Sequence, residues 1–481
     1  MDLFLERQGW SKKKIDTTLA HLITRTIYSP SELKSLRIMN QNSAVCELVT
    51  KNPTWQPGFH DVYDVAIDLY NIKDKLEDHL CRRTDSLFNI SNSLILYDLT
   101  NFYFESPKFN SKKAKYGRSK KKRKDCKLLV LALCINSEGF IRYSSILEGN
   151  AADPTTLPNM IKTISERARV PHDEQNKPLV VIDAGIASDS NLQLIKDGGY
   201  HYLCVSKSHL KEYSYSDENR IITVQDSKKQ EIKLREVKHE GGDYYLEITS
   251  PMKAIKERAM NGLFKQRFEE MLTLAHNALS KPRGKKNYDK VVERVGRAIA
   301  KYPSISKYYT FNYIRSKDNP KNMADFTWEI KAPEQIDKYS GVYFLRTDVP
   351  EIGEKQTWNF YNLIREIEAT NRQLKLDLNL RPIYHQTDDR ADAHLFLGML
   401  SYWIVNTIRY KLKQHNIKYY WTELTRIMST QKIITTEAFN ALGEKVKFRQ
   451  CTEPNEQLTE IYNALSYKPK PFSRVKLCST Q

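Results

Sequence analysis

A mixed α/β sheet with helices on its faces is the fold class this sequence predicts, and three observations predict it. Short apolar runs bounded by turn residues recur at 94–99 (LILYDL), 127–135 (KLLVLALCI), 140–147 (FIRYSSIL) and 178–185 (PLVVIDAG). From the third run onward they alternate with helix-spaced segments at 155–170 and 188–196, before a further strand at 202–206. Everything ahead of the first run has helical periodicity alone. Three strands in a row followed by helix–strand alternation describe a meander that feeds a mixed sheet.

The front, taken as a helical domain over 1–92, rests on Ile15, Leu19, Leu22 and Ile23, and on Val65, Leu69, Ile72, Leu76 and Leu80, which recur at helix spacing. Two prolines and a glycine in KNPTWQPG (51–58) split it. Such a basic helical front suits DNA binding and equally suits a cap packed on the next domain. Residues 93–208 form the first part of the sheet core. From 209 to 350 a β-rich module with helices is expected: strands at 220–224, 231–237 and 244–248, helices at 252–278 and 288–301, and strands at 308–314, 326–330 and 342–346. Residues 351–450 return to the core and turn helical near Thr357, and 451–481 are a C-terminal helix and a basic, proline-broken tail (KPKPFSRVK).

Charge points to the partner class. The 481 residues carry 76 Lys+Arg against 58 Asp+Glu, a formal +18, which attracts polyanions, nucleic acid first. The longest apolar stretch, LFLGMLSYWIV at 395–405, is far short of the roughly 20 residues a membrane-spanning helix needs. MDLFLERQ at the start is no signal peptide, so a cytosolic protein is expected. Seven cysteines (46, 81, 126, 134, 204, 451 and 478) without a CxxC pair suggest reduced, mostly buried thiols. Walker A and GxGxxG patterns are absent from the sequence, which argues against ATP or dinucleotide chemistry.

Two aspartates stand where a carboxylate is costly: Asp98 in LILYDLT and Asp183 in VVIDAG, each read as the end of an apolar strand. Desolvating them is tolerable beside a divalent cation, although a strand-end Asp also simply caps turns. A third carboxylate comes from a helix read over 361–380. At 100° per residue from Tyr361, the side chains of Arg365, Glu368, Arg372 and Lys375 fall within about 40° of it, with Leu363, Ile367, Leu374 and Leu378 roughly opposite. Glu368 among three cations fits a metal ligand ringed by phosphate-gripping groups, and fits a solvated ion-pair face too. Between Asp98 and the second strand runs a tract that cannot pack: Lys112, Lys113, Lys115, Arg118, Lys120, Lys121, Lys122, Arg123 and Lys124. Beside a metal site it would grip DNA phosphates without reading sequence; as a mere solubilising tract it would do neither. The cluster His385, Asp388, Asp389, Asp392 and His394 lacks catalytic-zinc spacing, and His394 reads as a hydrogen-bonded core histidine.

LILYDLTNFYFES, GNAAD at 149–153, VVIDAGIASDSNL, YNLIREIEATNRQLK and RPIYHQTDDRADAHL together resemble the RNase H-like DDE transposases of bacterial insertion sequences, in the group with a Tyr-x2-Arg-x3-Glu-x6-Lys signature. The resemblance runs from about Leu94 to Arg409. It implies an RNase H-like catalytic core interrupted by a mainly β insertion, with Asp98, Asp183 and Glu368 as the metal-binding triad and Tyr361 and Lys375 as the signature Tyr and Lys. Where the signature has Arg this sequence has Ile364, so Arg365 or Arg372 is left to take its place. The resemblance further implies two Mg²⁺ or Mn²⁺ ions per site, double-stranded DNA with terminal inverted repeats and a target as partners, and at least a homodimer on DNA in the bacterial cytosol, at the nucleoid. An aromatic from the insertion that stacks on a flipped base is part of the same picture, and Trp328 stands in the right segment, where a core role fits as well. Relatives of this type carry more sequence ahead of the helical front. The competing class is a non-catalytic DNA-binding protein descended from a transposase.

Overall fold

Among the described residues, six α-helices and a π-helical turn (Ile38–Asn42) precede the first strand: α1 (Asp2–Arg7), α2 (Lys12–Tyr28), α3 (Glu32–Arg37), α4 (Val45–Thr50), α5 (Phe59–Asn71) and α6 (Lys73–Phe88). The computed structural model describes residues 1–479 apart from 53, 91, 106, 109, 118–124, 152, 167–176, 208–209, 211–212, 227, 239–241, 282–283, 285, 350–351, 442 and 471–474. Ser11 opens α2 by accepting the Lys14 N–H, and Ser29 closes it in the left-handed region at φ 50°. The buried residues of α2 are unexpectedly polar, with Asp16, Thr17, Thr18, His21, Thr24, Arg25 and Thr26 beside Ile15, Ala20 and Leu22, while Ile23 is exposed.

The strands follow as β1 (Leu94–Tyr103), β2 (Leu128–Asn136), β3 (Ile141–Glu148), α7 (Asp153–Glu166), β4 (Leu179–Ile182), α8 (Asp189–Asp197) and β5 (His201–Val205). β1–β2–β3 is an antiparallel meander, and β4 joins the other side of β1 in parallel. All nine residues of β2 are buried, as an apolar run covered on both faces must be. The mixed α/β sheet is therefore present in the predicted order.

The chain divides into two units, 1–202 with 362–481, and 203–361. In the second, β6 (Ser214–Tyr215), β7 (Ile222–Gln225), β8 (Glu231–Lys238) and β9 (Tyr244–Thr249) precede α9 (Pro251–Ser280), α10 (Tyr288–Lys301), α11 (Pro303–Ser306), the hairpin β10 (Tyr309–Arg315) and β11 (Met323–Ile330), then β12 (Val342–Thr347) and α12 (Glu354–Asn362). β12 pairs antiparallel with β9, β9 with β8, and the last residues of β5 with β12. A separate core of Phe268, Leu272, Val291, Val295 and Phe326 seats α9 and α10 against the hairpin. With a 30-residue α9, this unit is α+β rather than mainly β.

The first unit resumes with α13 (Ile364–Lys375), α14 (Asp388–Gln414), α15 (Trp421–Met428), β13 (Ile433–Phe439), β14 (Lys445–Cys451), α16 (Glu456–Ala464) and β15 (Val475–Ser479). α14 is buried almost all round from Ala391 to Trp403, and α2 and α5 pack against it, so the front helices are part of the first unit and not a separate body. β13, β14 and β15 form a small antiparallel sheet within a stretch read as helical and a tail read as basic and proline-broken, while the expected C-terminal helix is present as α16.

Candidate active site

Register brings the two aspartates together. β1 and β4 pair in parallel from Leu94↔Leu179 to Tyr97↔Ile182, so Asp98 and Asp183 occupy the next position on neighbouring chains, which run about 4.8 Å apart. Asp98 is not at a strand end: β1 continues to Tyr103 against β2, with Asp98 opposite Leu133. It is β4 that stops, at Ile182, leaving Asp98 half-buried beside the carboxyl end of a parallel strand, the edge at which α/β sheets characteristically bind ligands. Asp183 is exposed and starts a turn, its Oδ1 accepting the Ala184 N–H at 2.8 Å.

The third element is α13, which lies on the face of β1 that carries Asp98. Asn371 Nδ2 donates to Asp98 Oδ2 at 2.9 Å, and one turn on, Lys375 Nζ stands 6.0 Å from the centre of the Phe102 ring. Asp98 and Phe102 share a strand face, as Asn371 and Lys375 share a helix face, so strand and helix run side by side. Glu368 is exposed three residues before Asn371, a neighbouring position on the helix surface at about 5–6 Å between Cβ atoms.

Polar contacts on the inner side fix the rotation of α13. Thr370 Oγ1 lies 2.9 Å from Tyr402 Oη, which donates to the Gly139 carbonyl at 2.8 Å, and Arg409 Nη1 donates to Gln373 Oε1 at 3.2 Å. With Ile367 and Leu374 buried beside them, Arg365, Glu368 and Arg372 are left exposed and Lys375 half-buried, as the helical arithmetic requires. The Arg372 guanidinium stands 5.6 Å from the exposed Tyr420 ring. At the end of the helix, burial pushes the Asp377 carboxyl above its usual range, against the pull of Arg372 and Arg409.

Other expectations meet different outcomes. The helix read over 361–380 is broken at Leu363, and Tyr361 belongs to α12 in the second unit, its ring 6.3 Å from that of Tyr343. Trp328 packs beside Phe326 at 5.5 Å and His276 at 6.0 Å, partly buried against the second unit's core. Lys120, Lys121, Lys122, Arg123 and Lys124 lie outside the described residues. The root of their tract is held: Asp388 accepts the Ser111 hydroxyl and the N–H groups of Lys112 (2.9 Å) and Lys113 (3.3 Å), and Asp392 pairs with the Lys113 ammonium.

The two histidines of the cluster go elsewhere. His385 and His394 converge on buried Glu32 of α3, at 2.6 and 2.8 Å, and one donor atom from each of the three lies within 4.8 Å of the others. Arg25, which can only donate, stands 3.3 Å from His394 Nε2. That contact makes Nε2 the acceptor and puts the proton on Nδ1, facing Glu32. The nitrogen a metal would need is thus engaged, in agreement with the core-histidine reading. Asparagine 371 itself is a residue sequence reasoning missed; a polar side chain at a position that must face the sheet was the available signal.

Residues 91–404 match the family model described as a transposase DDE domain. No curated protein sequence matches the chain.

Proposed function

From the premise that this chain belongs to the DDE transposase family, we propose that it cuts and joins DNA phosphodiesters at the ends of an insertion sequence, with Asp98, Asp183 and Glu368 as its metal-binding carboxylates. The observation that carries this reading is the shared register of Asp98 and Asp183 at the open end of β4, with α13 bound over Asp98.

The donor set fits the group. Three carboxylates offer hard oxygen ligands of the kind Mg²⁺ and Mn²⁺ take, without a thiolate or imidazole among them. Bound in a pair, such ions polarise the attacking oxygen and neutralise the leaving one. The chain's own part is to hold the carboxylates and the strand. β1 and β4 fix the spacing of Asp98 and Asp183, and the inner contacts of α13 present Glu368, Arg365 and Arg372 to solvent on one face. Those two arginines suit the bidentate grip on phosphate that Ile364 cannot supply, and Lys375 adds a point charge one turn beyond Asn371. Tyr361, on the preceding helix, serves the DNA rather than the ions. The tract Lys120, Lys121, Lys122, Arg123 and Lys124, rooted by Asp388, holds flanking duplex through its phosphates. Terminal inverted repeats, target DNA and a homodimer on DNA complete the reading.

The test is cleavage of a labelled duplex bearing the repeats that flank the gene, with Mn²⁺ or EDTA, by the native chain and by Asp183→Asn. Metal-dependent cutting at the repeat boundary that disappears in the variant, while binding persists, is the expected result. Binding without cleavage under any metal would overturn it.

A further inference from the structure

Asn371 is buried, 5% exposed, and its amide is set by one contact, Nδ2 to Asp98 Oδ2 at 2.9 Å. An ionised carboxylate only accepts, so the nitrogen must face Asp98 and the amide oxygen must point away. There Asn371 Oδ1 is buried and has no hydrogen-bond partner among the described residues. Folded proteins avoid an orphaned buried carbonyl unless something is gained in return. Replacing Asn371 with an apolar side chain would remove the orphan, at the expense of the N–H it gives Asp98, whereas flipping the amide would strand an NH2 group in its place and set two oxygens against each other.

We propose that Asn371 is a positioning residue, whose amide holds the Asp98 carboxylate in a single orientation beside Asp183 and so sets the affinity of the site for its divalent cation. The proposal rests on the reading of Asp98 as a metal ligand. Three features of the geometry support it. Asn371 sits on the helix that carries Glu368, three residues on, so the same rigid element presents one carboxylate and orients another. That element is held against rotation by Thr370, whose hydroxyl meets Tyr402, and by Gln373, which accepts from Arg409. Asp98 in turn is fixed at its backbone by pairing with Leu133 of β2, so the contact from Asn371 acts on its side-chain torsions. Partners that orient a ligating carboxylate typically change metal affinity by about 10–100-fold when removed.

The experiment measures Mn²⁺ binding to the full-length protein alone, by the loss of the free-ion electron paramagnetic resonance signal, without DNA. Native protein is compared with Asp98→Asn, Asn371→Leu, Asn371→Ala and Asn371→Ser, each checked for an unchanged melting profile in EDTA. Asp98→Asn is expected to abolish the tight binding. Asn371→Leu, which keeps the shape and removes the donor, is expected to weaken it about 10-fold or more, and Asn371→Ala replaces it should the leucine not be accommodated. Asn371→Ser, which retains a donor, is expected to recover part of the loss, a rescue that packing alone does not give. If Asp98→Asn abolishes binding while the leucine and alanine variants stay within about twofold of native, the positioning role is overturned and the ligand reading stands. If Asp98→Asn binds Mn²⁺ as the native chain does, the ligand reading falls and takes the proposal with it.

Discussion

His394 Nδ1 lies 2.8 Å from Glu32 Oε1, an ion-pairing distance between residues 362 positions apart, and it ties the helical front to the longest helix of its unit. His385 reaches the second oxygen of the same carboxylate, and Arg25 supports His394 from behind. The groups facing this pair are Arg25 and His21 from α2, His385 from the loop before α14, and Tyr63 of α5, whose ring meets His385 edge-on.

The pair predicts the direction of acid sensitivity. Burial pushes His21 down to about 4, Arg25 and His394 adding to the effect against Glu32, and burial likewise lowers His394. Burial would raise Glu32, but the hydrogen bonds and charge of the two histidines outweigh it and hold it well below the usual carboxylate range. For each group the folded state binds its proton less readily than the unfolded chain does. Stability is therefore full above about pH 6.5, falls as histidines of the unfolded chain take up protons below that, and falls further below about 4.5 where Glu32 enters. Urea melts from pH 8 to pH 4 should show the midpoint dropping through this window. His21→Leu should flatten the upper part of the fall by up to about 3 kcal/mol, the value of a shift from 6.5 to about 4.

Helix α13 makes a second prediction through Tyr402. Its hydroxyl stands between the Thr370 hydroxyl and the Gly139 carbonyl, all buried, and Gly139 needs its positive φ of 80° to present that carbonyl. Tyr402→Phe leaves the buried Gly139 carbonyl without its donor and Thr370 with only its bond to the Glu366 carbonyl, and should cost about 1–3 kcal/mol in denaturant titration. Thr370→Val added to it should cost less than the two losses summed, because the variants share one hydrogen bond. Equal and additive losses would mean that the hydroxyls do not act as a unit.

What the sequence made legible follows from how local each signal is. Asp98 and Asp183 were visible because a carboxylate inside an apolar run is conspicuous within six residues. The ionic face of α13 was visible because 100° per residue is a local rule. Asp98 was misplaced to a strand end because LTNFY mixes polar and apolar residues, and only pairing with β2 extends β1 to Tyr103. Tyr361 was drawn into the same helix as Glu368 because the hydrophobic spacing runs through Leu363, where the chain nevertheless breaks. Neither Asn371, a polar residue on the sheet-facing side of its helix, nor Glu32 carried a local mark of what it binds. Each is recognised only by a partner 273 or more residues away, a distance that no periodicity spans. The polar inner face of α2 was invisible for the same reason, since Arg25 and His21 are buried by α3 and α14, not by their own helix.

Gly398 gives a third prediction, in which helix propensity and packing oppose each other. A Cβ at Gly398 would lie 2.1 Å from Leu380 Cδ2, and Leu380 is fully buried just after α13. Alanine normally favours a helix interior over glycine by about 1 kcal/mol. Here overpacking of about 1–3 kcal/mol should win, so Gly398→Ala lowers the melting temperature. Leu380→Ala alone should also destabilise, by about 2–5 kcal/mol, through its cavity. Combined, the two should cost clearly less than their sum, because the new methyl enters the space the leucine leaves. Strict additivity would show that the two residues are not in contact.

The basic tract supplies the last prediction. Asp388 and Asp392, one turn apart at the start of α14, hold Ser111, Lys112 and Lys113 by two backbone donors, a hydroxyl and an ammonium, so the described start of the tract is anchored to α14. Phosphate contacts made from such a tract release counterions, and each steepens the fall of log K with log salt by about 0.9. Replacing Lys120, Lys121, Lys122, Arg123 and Lys124 with glutamine should therefore weaken binding to duplexes of unrelated sequence alike and lower the slope by up to about 4.5, without touching the preference for repeat ends. Asp388→Ala keeps every cation but frees the root, and should weaken binding while leaving the slope within about one unit of native, because the charges can still reach phosphate at an added ordering cost. Fluorescence anisotropy at a series of salt concentrations separates the two effects. An unchanged slope in the glutamine variant would remove the tract from the DNA interface and leave the arginines of α13 as its principal cations.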